Sequence, residues 1–384
     1  MNYFKILFLF VISILNISCS EAKVQTEITK QNKSNKIVQS DFSQKKITDN
    51  LYVLKAPSYN TNVGVFIGVK ELLLIDPMTG MNNQKDLLKA IRELSDKPIK
   101  YVLNTHSHQD HSGANSFFME LGATIISQEN SKYSKAVYDV TFKNTYTVKM
   151  ESETVELYHV KAHTFDDVLI YFKNNNTVFM GDTYMTNSFP HFYYGGGSKG
   201  HLDIIDKALS LGDESTTIVA AHGKLSSNKK ELSVYKSNSI KWINRIKELN
   251  DAGKTSEQIA NDKQIKELSL VFNDGNNIST QRLSQTIKKT VSVNLVANTI
   301  IPVTTLRSYE GSYQYENGQI DEVIYQEGKL FLRSEGNYIY EIVSLSETNF
   351  HLKGQTLNQS LIFDNVHKQF IFFNGKEELV ANKK

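Results

Sequence analysis

The segment NTHSHQDHSGA, residues 104–114, places three histidines and an aspartate within six positions: His106, His108, Asp110 and His111. The whole chain of 384 residues has ten histidines. Packing gives no reason to gather them, because imidazoles repel one another when charged and need partners when buried. A divalent cation would supply that partner. Neutral imidazole and carboxylate are the groups that hold zinc or another borderline ion. Two adjacent ions would account for four such groups packed together. His106 and His108, two apart, can face one way, and Asp110 and His111 lie on the turn that follows. Further ligands have to come from elsewhere. VKAHTFDD offers His163, VFMGDTY offers Asp182, and IVAAHGK offers His222. Each polar group would emerge at the end of an apolar strand, where clefts form.

The surrounding pattern supplies those strands. NLYVLKA, TNVGVFIGV and ELLLIDP are short apolar runs with Gly between them, which read as strands of a hairpin-rich sheet. MNNQKDLLKAIRELSDK spaces Leu87, Leu88, Ile91 and Leu94 as a helix does. IKYVLN is a strand, SGANSFFMELG a helix ended by Gly, and GATIISQE a strand again. Further strands run to TTIVAAHG, so residues 46–225 read as a mixed α/β domain. Residues 226–300 change to helical spacing. Ile240, Trp242, Ile243, Ile246 and Leu249 form one stripe, TSEQIA opens a second helix at a capping box, and STQRLSQTIKKTVSVNLV gives a third. Residues 301–384 are short strands about ten residues apart, which predict a small antiparallel β domain, a barrel or a curled sheet. Its sequence shows no metal or nucleophile cluster.

Composition sets outer limits. Lys plus Arg is 43 and Asp plus Glu is 41, a formal net charge of +2. That balance argues against a nucleic-acid partner. The one cysteine, Cys19, excludes an intrachain disulfide. It follows Lys5, the apolar run Ile6–Leu15 and a few small or polar residues, an arrangement that resembles a bacterial lipoprotein signal peptide. The resemblance implies removal of residues 1–18 and a lipid on Cys19. Residues 19–45 are polar and aperiodic, a flexible tether. The expected location is the periplasm or cell surface, with the chain held to a membrane by that lipid.

The order HxHxDH, a distant His, a GD and an HG after a strand resembles the metallo-β-lactamase fold of hydrolases over about residues 46–225. The resemblance implies a four-layer αβ/βα sandwich with two zinc ions at one edge of the paired sheets; manganese or iron are the alternatives. It assigns His106, His108 and His163 to the first ion, Asp110, His111 and His222 to the second, and Asp182 as a bridge. Asp76, at the end of LLLID, matches the family's aspartate that steadies ligand geometry from behind. Two such ions activate a shared water towards an electrophilic carbonyl or phosphoryl centre, with Asp110 orienting the nucleophile and moving a proton. No Cys follows residue 19, His106 is not Asn, and His108 is not Glu. These absences argue against the Cys-bearing lactamases, the single-zinc lactamases and the flavodiiron proteins.

Substrate choice in the family usually lies in the loop after the bridging Asp, here TYMTNSFPHFYYGGGSKG. Tyr193 and Tyr194 before three glycines suggest a mobile aromatic rim; the other reading packs them on the helical segment. His159 reads as a strand residue, and His191, His201, His351 and His367 as surface or structural. The expectation is an exported dizinc hydrolase that cleaves a small-molecule ester, thioester, lactone or amide bond, β-lactams included. The alternative is a non-catalytic, metal-containing binding or scaffolding lipoprotein with the β tail as its partner-binding module.

Overall fold

The computed structural model describes residues 41–384 apart from 58–59, 79–82, 135, 295–298, 335–337 and 356–358. The signal segment, Cys19 and residues 20–40 of the expected tether lie outside the described residues; the end of that tether is a correction, because Ser43–Lys46 form a strand paired with Leu51–Lys55. Residues 41–384 form one compact unit.

Two sheets face each other. The first has seven strands in chain order: β1 Ser43–Lys46, β2 Leu51–Lys55, β3 Asn62–Ile67, β4 Leu72–Ile75, β5 Ile99–Leu103, β6 Thr124–Gln128 and β7 Val140–Phe142. The hairpins β1 to β4 are antiparallel, and β4 to β7 run parallel. The second sheet comprises β8 Thr145–Met150, β9 Glu153–His159, β10 Val168–Phe172, β11 Thr177–Phe179, β12 Thr217–Val219 and β13 Ser227–Asn228. Its one parallel pair is β11 with β12. Leu51, Phe66, Leu73 and Leu103 of the first sheet meet Val155, Leu157, Ile170 and Phe179 of the second in a continuous dry layer.

Helices cover both outer faces, as amphipathic elements must. Gln84–Leu94 buries Leu87, Ala90 and Ile91 on the first sheet and turns Lys85, Lys89 and Glu93 to solvent. Gly197–Ser210 and Lys229–Asp251 cover the second sheet, where Ile204, Ile205, Trp242 and Ile246 join Leu169, Val178 and Ile218. The helical segment therefore shares its core with the sandwich and builds its outermost layer. It contains a fourth helix, Lys263–Phe272, beyond the three expected from spacing. Asp262 caps that helix by accepting from the Ile265 amide, and Ile265, Leu268 and Phe272 are its buried stripe. Ser256–Ala260 starts at the expected capping box, with Thr255 and Gln258 each bonding the other's backbone.

The tail closes into an antiparallel barrel of eight strands, β14 Gly311–Tyr315 through β21 Glu378–Lys383. Closure is the pairing of the first strand with the last, Tyr313 opposite Lys383, which removes exposed sheet edges. Tyr313, Phe350, Phe363 and Phe370 fill the interior. Tyr309, just past the short helix Val303–Ser308, stacks on Phe363 at 4.1 Å and joins that interior.

Candidate metal centre

Asp76 and the seven candidate ligands lie in segments that follow strands. Asp76 follows β4, and His106 and His108 follow β5. Asp110 and His111 ride on the single turn Gln109–Ser112. His163 lies between β9 and β10. Asp182 sits in the turn Gly181–Thr183 after β11, and His222 follows β12. Strands of both sheets thus deliver their next residues to one shared edge.

The ligand atoms form two groups. His106, His108, His163 and Asp182 each offer an atom, all within 4.8 Å of one another; so do Asp110, His111, Asp182 and His222. Asp182 belongs to both. Its Oδ1 lies 3.1 Å from the Nε2 atoms of His111 and His222, and its Oδ2 lies 3.5 Å from His163 Nε2. Asp110 Oδ2 stands 3.5 Å from His111 Nε2 and 3.4 Å from His222 Nε2.

The rear of the site fixes which nitrogen faces inward. His163 Nδ1 donates to the His191 carbonyl at 3.1 Å, and His222 Nδ1 to the Asn60 carbonyl at 3.0 Å. His111 Nδ1 meets Asp76 Oδ2 at 2.9 Å. Those bonds leave the Nε2 atoms of all three rings directed at the centre, as an ion-binding histidine requires. Asp76 is itself held. Thr105 donates its amide to Oδ1 at 2.8 Å and its hydroxyl to Oδ2 at 2.6 Å. Asp76 also carries a φ of 50°, a left-handed conformation that a non-Gly residue adopts at a cost. Asp76 thus contacts His111 from behind, and Thr105 and the carbonyls of Asn60 and His191 are supports that the residue types alone did not reveal.

The donor set fits divalent cations on its own geometry. His106 Nε2, His111 Nε2 and Asp182 Oδ1 are buried without a well-directed hydrogen bond. Two ring nitrogens, His111 Nε2 and His222 Nε2, lie 3.1 Å from Asp182 Oδ1. Buried polar atoms left in this way are costly unless a cation lies between them.

Charge is distributed unequally. Burial, with neighbouring imidazoles, pushes His106 well below the ordinary histidine range. Burial also lowers His163, against an opposing pull from Asp182. At His222 burial acts downward too, but Asp182 and Asp110 outweigh it and push the ring up to about 10. At His111 burial is likewise outweighed, by Asp110, Asp76 and Asp182, and the ring stays protonated far above the usual range. At pH 7 the second group therefore holds protons where a cation would sit. Metal uptake at pH 7 should release them, so apparent affinity rises with pH, about tenfold per unit for each proton released. Zinc titration by calorimetry in buffers of different ionisation heat measures this number. A value of zero across pH 6–8 would contradict the charge assignment.

The loop after Asp182 departs from expectation. Tyr193 is 3% exposed and packs with Phe192 against Val293, at the end of the helix Thr280–Ser292. It is a packing residue, because the helical segment closes over that side of the loop. The glycines after it are not a mobile hinge. A Cβ on Gly195 would lie 2.1 Å from the Thr164 carbonyl oxygen, and one on Gly196 1.9 Å from that of Lys161. They are there for close backbone approach. Tyr194 does face the cleft, with its ring 5.7 Å from that of His108 and 5.6 Å from that of His163.

Comparison with known proteins agrees with the architecture. Residues 57–222 match the Metallo-beta-lactamase superfamily. A hydroxyacylglutathione hydrolase of Pelagibacter ubique is 31% identical over 145 residues, 37% of this chain and 59% of that protein. A metallo-beta-lactamase type 2 of Elizabethkingia meningoseptica is 27% identical over 148 residues, 35% of this chain and 59% of its own length. The chain thus spans 59% of each of these curated relatives. Among solved structures, the stereoselective inverting sec-alkylsulfatase Pisa1 from Pseudomonas sp. superposes with a TM-score of 0.53 at 15% identity, covering 70% of this chain and 53% of that one. Two facing sheets between helical layers, with histidines and aspartates gathered at one sheet edge, give this chain the metallo-β-lactamase fold.

Proposed function

We propose that the protein is a metal-dependent hydrolase that holds two divalent ions, zinc in the first instance, and cleaves an acyl bond of a small molecule. The observation that carries this reading is the sharing of Asp182 between two complete ligand groups. His106, His108 and His163 would hold one ion, Asp110, His111 and His222 the other, and Asp182 both. A bound pair supplies Lewis-acid polarisation and an activated water at neutral pH. The protein's own part is to hold the imidazoles in one tautomer through Asn60, Asp76 and His191, and to keep the floor dry. Asp110 is the group left at the mouth: its side chain is 46% exposed, against 11% for Asp182. It can accept a proton from the nucleophile and pass it to solvent or the leaving group.

The relatives named as a hydroxyacylglutathione hydrolase and a metallo-beta-lactamase make thioesters and lactams the first substrates to try, with esters and lactones beside them. Zinc-loaded protein should carry two ions per chain by elemental analysis and turn over at least one member of such a chromogenic panel. A stoichiometry that stays at one, or no turnover with zinc, manganese or iron, would leave the binding-lipoprotein alternative.

The reading includes export and lipid attachment at Cys19. Among the described residues no helix is long and apolar enough to cross a membrane. Cys19→Ser should move the protein from the membrane to the soluble fraction on cell fractionation. Unchanged membrane association would remove the anchor from the proposal.

A further inference from the structure

The barrel is seated on the two loops that carry His163 and Tyr194. Phe331 packs edge-on against Phe165, with ring centroids 4.7 Å apart. Gln326 Nε2 donates to Asn130 Oδ1 at 3.1 Å, and Lys161 Nζ to Glu327 Oε2 at 3.0 Å. The closest approach is at Gly354, where φ is +81° and a Cβ would lie 2.3 Å from the Tyr193 carbonyl oxygen. Only glycine allows two backbones so near. A domain merely tethered to the sandwich would not need that fit.

At this seam one barrel strand, Tyr338–Ser344, reaches the metal-bearing cleft. Ile339 lines a crevice together with His108, Phe165, Asp166 and Tyr194. Its neighbour Tyr340 meets the Tyr194 ring at 5.6 Å while also packing on the barrel's interior. Aromatic contact therefore runs unbroken from the barrel through Tyr194 to the rings of His108 and His163.

We propose that Ile339 and Tyr340 are specificity-determining residues: the crevice beside Tyr194 has room for about one water, so an aromatic or branched apolar group of the substrate lies across its mouth, against these half-buried side chains. Ile339, Phe165 and two tyrosines offer apolar surface and ring faces. Asp166, 4% exposed, lies in the same wall and accepts from the Ser131 hydroxyl at 2.8 Å. A buried carboxylate there disfavours an anionic substituent, and the apolar side chains around it disfavour a charged one of either sign. The inference rests on the proposed hydrolase reading and deepens it.

The test compares 4-nitrophenyl phenylacetate with 4-nitrophenyl acetate on the zinc-loaded full chain. The phenylacetyl-to-acetyl ratio of kcat/KM should fall about tenfold in Ile339→Ser and in Tyr340→Ala, the usual effect of lost contact in an apolar pocket. It should hold in Val366→Ser, a change at a barrel residue that is 86% exposed. Ile339 is half-buried, so its variant should fold even if Tyr340→Ala loosens the barrel. An unchanged ratio in both variants overturns the proposal. A second arm needs no turnover: phenylacetate should slow amide exchange across residues 338–344 of the wild type. If neither ester reacts, the hydrolase reading is decided by the wider panel of thioesters, lactams and lactones, and this arm alone decides the wall. Protection upholds it and its absence overturns it.

Discussion

Asp182→Asn is expected to lower divalent-ion affinity by about 100- to 10,000-fold at both positions. The residue is 8% exposed and serves two groups at once. Asparagine keeps its volume but presents no negative charge. Removing one partner from a buried ion pair costs about 3–5 kcal/mol, and each 1.4 kcal/mol is about tenfold in affinity. The loss should be shared because Oδ1 faces His111 and His222 while Oδ2 faces His163. The fold has a way to accommodate the change. Burial pulls Asp182 up but His111 and His222 hold it well below the carboxylate range; without it His222 loses the larger of the two charges that keep it protonated, while Asp110 and Asp76 still hold the proton of His111. Competition with a chromogenic chelator reads both affinities, and circular dichroism reads the fold. If the folded variant lost one ion and kept the other at wild-type affinity, Asp182 would belong to a single position, and the two-ion centre would have to be redrawn.

What the sequence discloses about this site follows from how narrow each requirement is. Ion binding demands particular atoms, so His106, His108, Asp110 and His111 are conspicuous in an alignment-free reading. His163, Asp182 and His222 are found because each ends an apolar strand. Spacing likewise exposes the helix at Leu87 and Ile91. The signal for Lys263–Phe272 is also present, as Ile265, Leu268 and Phe272 behind the cap Asp262. It is easily passed over because the helix follows Ser256–Ala260 with only Asn261 and Asp262 between them. Other features depend on where distant segments meet. Tyr193 is aromatic beside glycines on either reading, and only the arrival of Val293 decides that it is packed. Barrel closure needs Gly311–Tyr315 to pair with Glu378–Lys383, and the alternating pattern of either strand would suit an open sheet equally well. Ile339 and Tyr340 have the residue types of an ordinary strand. Their place beside His108 and Tyr194 is set by the seat of Gly354 on Tyr193, which no local pattern encodes.

Asp110→Asn should reduce kcat by about 100- to 10,000-fold, the range seen when a positioned proton carrier is removed, while metal content falls much less than in Asp182→Asn. The two aspartates differ in surroundings. Asp182 is enclosed, whereas Asp110 stands at the mouth with its side chain 46% exposed, 3.4 Å from His222 Nε2 and 3.5 Å from His111 Nε2. Burial acts to raise its carboxyl, but His111 and His222 outweigh burial and hold it far below the carboxylate range. It is therefore ionised at any working pH, a weak base while those two rings keep their protons and a stronger one when they are neutral. Asparagine cannot accept a proton, though its oxygen can still approach an ion. The structural cost should be small. Asp110 lies in a one-turn helix, and its backbone carbonyl still accepts from the Thr61 hydroxyl at 3.0 Å whatever the side chain. Loss of a charge at a helix start costs about 0.3–1 kcal/mol, so the melting temperature should move by a few degrees at most. The decisive measurement is kcat at saturating zinc, with bound metal assayed on the same sample. A variant with both ions in place and near-normal kcat would move the proton-carrying role away from Asp110. A variant that lost turnover and its second ion together would make Asp110 a ligand first. Rescue of that variant by excess zinc would then separate binding from catalysis, because restored occupancy without restored turnover means that the carboxylate does more than hold an ion.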